Sequence, residues 1–223
     1  MRIKRKKHLR ERLDNVKDFI LVAERDVSNV LEAVKDKRLI DLKSAFNNDN
    51  PVCLEIGCGK GGFVTQMAKI NPDKNFIAVE LLDNVIVMAV ERANDEKLKN
   101  VKFINSGAEY LERYIPSNSI ENIFLNFSPP YPQKSYENRR LTNDRYISEY
   151  STLLKEDGVI YQKTDDKDFF EYSVSKFLEN GYNVSVIDDD SDLDFVKCKT
   201  EYENKFLSLD MPIYRLIAKK RPN

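Results

Sequence analysis

The spacing of apolar residues divides the chain into two kinds of segment. Over residues 14–36, Val16, Phe19, Ile20, Ala23, Val27, Val30, Leu31 and Val34 recur mostly at three- and four-residue steps, and that period predicts an amphipathic helix. The stretch Phe46-Asn47-Asn48-Asp49-Asn50-Pro51 reads as a loop, because Asn, Asp and Pro favour turns. Beyond it the pattern alternates. Short apolar runs at 52–56, 76–80, 101–105, 120–126, 159–163, 182–187 and 213–218 predict strands. Between the first six lie helical patterns at 63–70, 83–95, 143–154 and 167–180, with a shorter candidate at 108–114. Strands alternating with helices require crossovers, hence a mostly parallel sheet with helices on both faces. Residues 188–211 break the rhythm, being acidic and turn-rich with no clean helical pattern. A last strand entered from such a connection is expected to run antiparallel, which makes a seven-stranded, Rossmann-like α/β sheet. The chain divides accordingly into an arm and helix (1–45) and one α/β domain (46–223).

Composition narrows the chemistry. With 223 residues the chain is long enough to bury a core without staples. Its three cysteines, Cys53, Cys58 and Cys198, form no CxxC pair and no disulfide framework, which favours a reducing, cytoplasmic setting. No apolar run approaches the ~18 residues of a membrane span, and Lys17 and Asp18 interrupt the first apolar stretch, so neither a membrane nor a secretory leader is expected. The one histidine, His8, lies in a charged tail, which argues against a His-based triad or a multi-His metal site. The net charge is −1 but unevenly laid out: Arg2, Lys4, Arg5, Lys6, Lys7 and Arg10 fall within ten residues. Such a block is either a solvated tail or an arm for a phosphate backbone. Asp188, Asp189, Asp190, Asp192 and Asp194 crowd another stretch; lacking the spaced Gly and terminal Glu of an EF-hand, they read as a solvated loop.

Four of the seven glycines sit in Glu55-Ile56-Gly57-Cys58-Gly59-Lys60-Gly61-Gly62, between a predicted strand and a predicted helix. Glycine serves where the chain turns sharply and a ligand approaches bare backbone. The spacing fits both G-x-G-x-G and G-x-G-x-x-G, which leaves nucleotide dehydrogenases open. Glu80, ending the next strand, suits the two hydroxyls of an adenosine ribose. Glu55 places negative charge beside the loop, which repels a pyrophosphate and suits a ligand bearing an ammonium and a sulfonium. S-adenosylmethionine has both and no phosphate, so a methyltransferase is favoured over a dehydrogenase.

Asn126-Phe127-Ser128-Pro129-Pro130-Tyr131-Pro132 follows the fourth strand of the α/β pattern, at the strand end where ligands of open α/β sheets bind. Its prolines fix the backbone, and Tyr131 offers a face for base stacking. Gln133-Lys134-Ser135-Tyr136-Glu137-Asn138-Arg139-Arg140 interleaves cations with aromatics, as phosphate contact and stacking require. Thr200-Glu201-Tyr202-Glu203 holds two carboxylates able to accept the N–H groups of a guanine edge.

In this order the pieces resemble the bacterial tRNA (guanine-N7)-methyltransferases. The resemblance rests on LEIGCGKGGFVTQMAK, NPDKNFIAVEL, LNFSPPYPQKSYENRRLT, KTDDKDFFEYS and TEYENKF with PIYR, and covers nearly all of residues 51–218. It implies S-adenosylmethionine as cofactor and the guanine at the forty-sixth tRNA position as substrate. The cofactor side would comprise Glu55, Gly57, Gly59, Glu80, Leu81, Asn105, Gly107, Ala108 and Asn126. The substrate side would comprise Ser128, Tyr131, Gln133, Lys134, Arg139, Arg140, Asp165, Thr200, Glu201, Tyr202 and Glu203. No metal is implied, no residue stands out as a catalytic acid or base, and monomer and dimer both remain open.

Three departures accompany the match. Family members usually read Ser-Asp-Pro-Trp-Pro-Lys-Lys where this chain has Ser128-Pro129-Pro130-Tyr131-Pro132-Gln133-Lys134, so Pro129 replaces an aspartate and Gln133 a lysine. Gly107 stands where an acidic residue is expected near the adenine, and the N-terminal helix reads as longer than usual. Two other functions stay open: a non-catalytic binder of tRNA or cofactor, and an amine methyltransferase using Ser128-Pro129-Pro130-Tyr131.

Overall fold

A computed structural model describes residues 6–23, 29–189 and 191–221. In chain order the elements are α1 (Leu9–Asn15), β1 (Ile20–Val22), α2 (Val30–Lys35), α3 (Leu42–Phe46), β2 (Val52–Ile56), α4 (Gly62–Ile70), β3 (Asn75–Val79), α5 (Asp83–Asp95) and β4 (Val101–Ile104). There follow α6 (Leu111–Tyr114), β5 (Ile120–Asn126), α7 (Asp144–Leu153), β6 (Leu154–Thr164), α8 (Lys167–Glu179), β7 (Tyr182–Val186), α9 (Asp194–Lys197), α10 (Glu201–Leu207) and β8 (Tyr214–Lys220). The strands form one sheet in the order β1-β4-β3-β2-β5-β6-β8-β7. Pairs from β1 through β6 are parallel, and β8 runs antiparallel between β6 and β7. The mostly parallel α/β sheet with an antiparallel last strand is as the alternation implies.

The residue alternation of β2 shows how the two faces are covered. Val52, Leu54 and Ile56 point into a cluster with Ile123, Tyr150 and Leu216, whereas Cys53 joins Phe63, Phe103, Phe124 and Phe195 on the other face. All five β2 residues are buried. Each apolar side chain so buried is worth roughly 1.5–3 kcal/mol.

Three expectations about the elements are corrected. The sheet has eight strands, not seven, and residues 14–36 are not one helix. Phe19-Ile20-Leu21-Val22 is a contiguous apolar run, and the open edge of β4 offers it backbone partners: Ile20 pairs with Phe103, and Asn105 N donates to Val22 O at 2.8 Å. An unpaired sheet edge is a liability that such a short strand covers. Val27 lies outside the described residues. Residues 188–211 also hold helices, α9 and α10, too short to show a period. The acidic stretch is exposed at Asp188, Asp189 and Asp192, as expected, and two of these also make ion pairs: Asp189 with the buried Arg215, and Asp192 with Lys197 at 2.8 Å. Asp190 lies outside the described residues.

The N-terminal region packs on the domain. Arg12 of α1 makes a bidentate pair with Glu91 of α5, at 2.6 and 2.5 Å. Ala33 and Phe46 belong to the same core cluster as Leu54. Lys6 N donates to Asn84 Oδ1 at 2.9 Å, while Arg2, Lys4 and Arg5 lie outside the described residues.

Candidate active site

The carboxyl ends of β2, β3, β4 and β5 converge on the glycine loop. Gly57 and Gly59 have φ of +79° and +57°, and a Cβ on either meets nothing within 4 Å. Their backbone therefore faces open space. The loop is fastened from β3, whose Val79 O accepts from Gly57 N and Cys58 N at 2.8 and 2.9 Å. Glu80 completes the tie: one carboxylate oxygen accepts from Gly59 N at 3.2 Å, the other from Leu82 N at 2.9 Å. Asn105 fixes the turn after β3 by donating to the carbonyls of Glu80 and Leu81 at 2.8 and 3.3 Å.

Gly61 has a packing role instead. Its φ is +79°, and a Cβ there would sit 2.8 Å from Ala89 Cβ, so α4 and α5 approach through this position. Gly61→Ala combines left-handed strain with overpacking and should cost about 2–4 kcal/mol; denaturant unfolding of the variant measures it.

Glu55 is 2% exposed. Asn126 Nδ2 donates to its Oε1 at 2.9 Å, while Glu55 Oε2, Asn126 Oδ1 and Ser128 Oγ are buried without a partner. Burial pushes the Glu55 carboxyl up to about 7; the Asn126 bond opposes this and the charge of Glu201 adds to it. A buried acid with an unmatched oxygen is a site prepared for a cation.

On the far wall the chain after β5 is strained. Phe127 and Tyr131 have φ of +50° and +41°, bracketing Ser128-Pro129-Pro130. Gln133, Lys134 and Arg139 are exposed around a 3-10 turn (Lys134–Arg139). Asp165 is half-buried in the turn between β6 and α8. Thr200 caps α10, accepting from Glu203 N at 2.9 Å. Glu201 ion-pairs with Arg92 at 2.8 Å, and its carboxylate lies against Gly62 at the start of α4. Tyr202 is 61% exposed and stacks on Phe206, which touches Phe127.

Glu203 does not stand where a substrate contact would require. It is fully buried, and its two oxygens are taken by Lys163 Nζ and Arg215 Nη2, each at 2.8 Å. Arg140 likewise turns inward, donating to the carbonyl of Tyr131. Beside Gly107 and Ala108 the spacing missed a residue: a Cβ on Gly107 would stand 2.5 Å from Glu109 Oε2, so a carboxylate covers the position where Gly107 itself provides none. Only the fold brings it there.

The residues present fit S-adenosylmethionine: Glu55 with its unmatched oxygen accepts a cation, and the open backbone at Gly57 and Gly59 admits a ligand. Among the described residues no helix is long and apolar enough to cross a membrane, and no three His, Cys, Asp or Glu side chains are placed to hold a metal ion.

Comparison with known proteins identifies the fold and the family. The 16S rRNA methyltransferase KamB superposes with a TM-score of 0.58 at 11% identity, over 90% of this chain and 99% of that one. A SAM-dependent methyltransferase from Aquifex aeolicus gives 0.54 at 14% identity, over 87% and 100%. The fold is thus that of the class I S-adenosylmethionine-dependent methyltransferases. The Methyltransf_4 family, described as "Putative methyltransferase", matches residues 49–216. The tRNA (guanine-N(7)-)-methyltransferase of Bacillus subtilis (strain 168) is 41% identical over 175 residues, 77% of this chain and 82% of the relative. That of Listeria monocytogenes serotype 4b is 42% identical over 180 residues, 79% and 84%. The chain belongs to the tRNA (guanine-N7)-methyltransferase family.

Proposed function

We infer that this protein transfers a methyl group to N7 of the variable-loop guanine at position 46 of tRNA, in the cytoplasm, with residues 46–223 as the catalytic unit. The observation that carries the reading is the buried Glu55, one oxygen unmatched, beside the open backbone of Gly57 and Gly59. Glu55, Asn126 and that backbone hold the aminoacid end of the cofactor; Glu80 takes its ribose hydroxyls, with Leu81, Asn105, Ala108 and Glu109 around its base. When bound, S-adenosylmethionine supplies a methyl group carried on a sulfonium.

Guanine N7 has an in-plane lone pair and no proton, so the protein has no proton to remove there. What it contributes is placement, worth up to roughly 7–11 kcal/mol where reacting atoms are held close and in line. Pro129 in place of an acid is compatible with that chemistry. Ser128 and Tyr131 line the base, Asp165 offsets positive charge developing on the purine, and Tyr202 gives a neighbouring base an exposed aromatic face. Gln133, Lys134 and Arg139 meet the backbone around it. Incubating the purified protein with S-adenosylmethionine and unmodified tRNA, then analysing nucleosides by mass spectrometry, tests the reading. N7-methylguanosine is expected; a methylated amine or no product would defeat it.

The basic arm supports tRNA affinity. Removing residues 1–5 deletes Arg2, Lys4 and Arg5 but keeps Leu9, which is buried. The truncated protein should bind tRNA more weakly and with a flatter dependence on salt, because each lost phosphate contact lowers the slope by about 0.7–0.9. A filter-binding salt series measures this.

A further inference from the structure

Arg139 and Arg140 are sequence neighbours with opposite surroundings. Arg139 is exposed, its guanidinium carbon 4.7 Å from the centre of the Tyr136 ring. Arg140 is half-buried: its Nε and Nη2 both donate to the carbonyl oxygen of Tyr131, at 3.3 and 3.1 Å. Its guanidinium also lies over Tyr172 of α8, 4.3 Å from the ring centre. Tyr172 is itself held, accepting from Asn143 Nδ2 at 3.3 Å and stacking on Phe169. Asn143 is the residue that caps α7.

The gripped carbonyl belongs to a strained residue. Tyr131 has φ of +41°, a region that bulky L residues avoid, and the proline after it disfavours relaxation into the right-handed helical region. Such a conformation persists only where its surroundings over-determine it. A fork of two N–H groups on one oxygen, with the guanidinium plane stacked on an anchored ring, supplies that constraint. Lysine, a point charge on a flexible stem, supplies neither the fork nor the plane.

We propose that Arg140 is a positioning residue which, braced on Tyr172, locks the Tyr131 backbone and so sets the wall from Ser128 to Tyr131 against the methyl-transfer crevice. It rests on the methyl-transfer reading above. Arg139, beside it, is left to face the nucleic acid.

The test uses the full chain and unmodified tRNA. Arg140→Lys keeps the charge and loses the fork, so kcat should fall roughly 10- to 100-fold while KM for tRNA stays within about twofold. Tyr172→Leu, which removes no charge, should lower kcat similarly. Arg140→Gln should leave the slope of tRNA affinity against salt unchanged, since no phosphate contact is lost. S-adenosylmethionine titration of each variant should match the unsubstituted protein and so shows that the domain is folded. Unchanged kcat in Arg140→Lys overturns the inference, as does a slope lowered by about 0.7–0.9 in Arg140→Gln, the mark of a direct phosphate contact. Absence of N7-methylguanosine with the unsubstituted protein defeats the underlying reading and this inference with it.

Discussion

Glu55→Gln is expected to weaken S-adenosylmethionine binding by roughly 100-fold at pH 8, about 3 kcal/mol, within the range for losing one partner of a buried, hydrogen-bonded charge pair. Glutamine keeps the shape and the contact with Asn126 but offers no charge to a cation. The acidity of Glu55 sharpens the test. Without ligand its carboxyl is pushed up to about 7 by burial, so the fold favours the protonated form. The stability this contributes is fully present below the ordinary pKa of 4.5 and is lost as pH rises through 7. Unliganded protein should therefore lose stability, on the order of 3 kcal/mol, between about pH 4.5 and 8. Glu55→Gln should lack that slope. Cation binding selects the ionised carboxylate, so affinity should rise about tenfold per pH unit up to 7 and then level off. Calorimetric titrations of both proteins at pH 5.5, 6.5 and 8 measure it. If the variant keeps the affinity and pH profile of the original, Glu55 does not hold the cofactor.

Glu203→Gln should have the largest effect on stability. Glu203, Lys163 and Arg215 are all buried, with Glu203 bridging the other two at 2.8 Å each. Lys163 Nζ lies over the rings of Phe63 and Phe195, 5.5 and 4.7 Å from their centres, and donates to Cys198 O at 2.9 Å. Burial draws its pKa down to about 8, against the opposing pull of Glu203. Neutralising Glu203 leaves two cations in the interior facing mainly carbonyls and the Asp189 carboxylate. Breaking a buried pair in this way costs about 3–5 kcal/mol. Lys163→Met, which leaves Glu203 paired with Arg215, should cost less than half as much. Urea unfolding of both variants gives the comparison. A Glu203→Gln cost below about 1 kcal/mol would remove the anchoring role, since surface changes fall in that range.

These side chains mark where the sequence is legible and where it is not. The bounds of β2 and α5 follow from period and punctuation, because β2 is an apolar run closed by glycine and α5 keeps one apolar stripe. The cradle at Gly57 and Gly59 is equally readable, since clustered glycine between strand and helix has few other uses. Direction is not readable. Glu201, Tyr202 and Glu203 are consecutive on α10, about 100° apart around its axis, so each faces a different environment. Glu203 enters the core, Glu201 lies on Gly62, and Tyr202 meets solvent. The string TEYE carries the Thr…Glu spacing of a helix cap, and Thr200 does cap α10, but spacing alone does not send Glu203 inward. The same limit hides the inward turn of Arg140, the reach of Glu109 over Gly107, and β1, whose partner strand lies about eighty residues downstream.

The position of β8 has a consequence for how the sheet is completed. Its seven residues fill the gap between β6 and β7, and Arg215, which secures α10 through Glu203, is among them. β6 and β7 do not pair with each other, so this edge of the sheet closes only when β8 inserts between them. The helix carrying Glu201 and Tyr202 is fastened by that same insertion, since Glu203 meets Arg215 only with β8 in place.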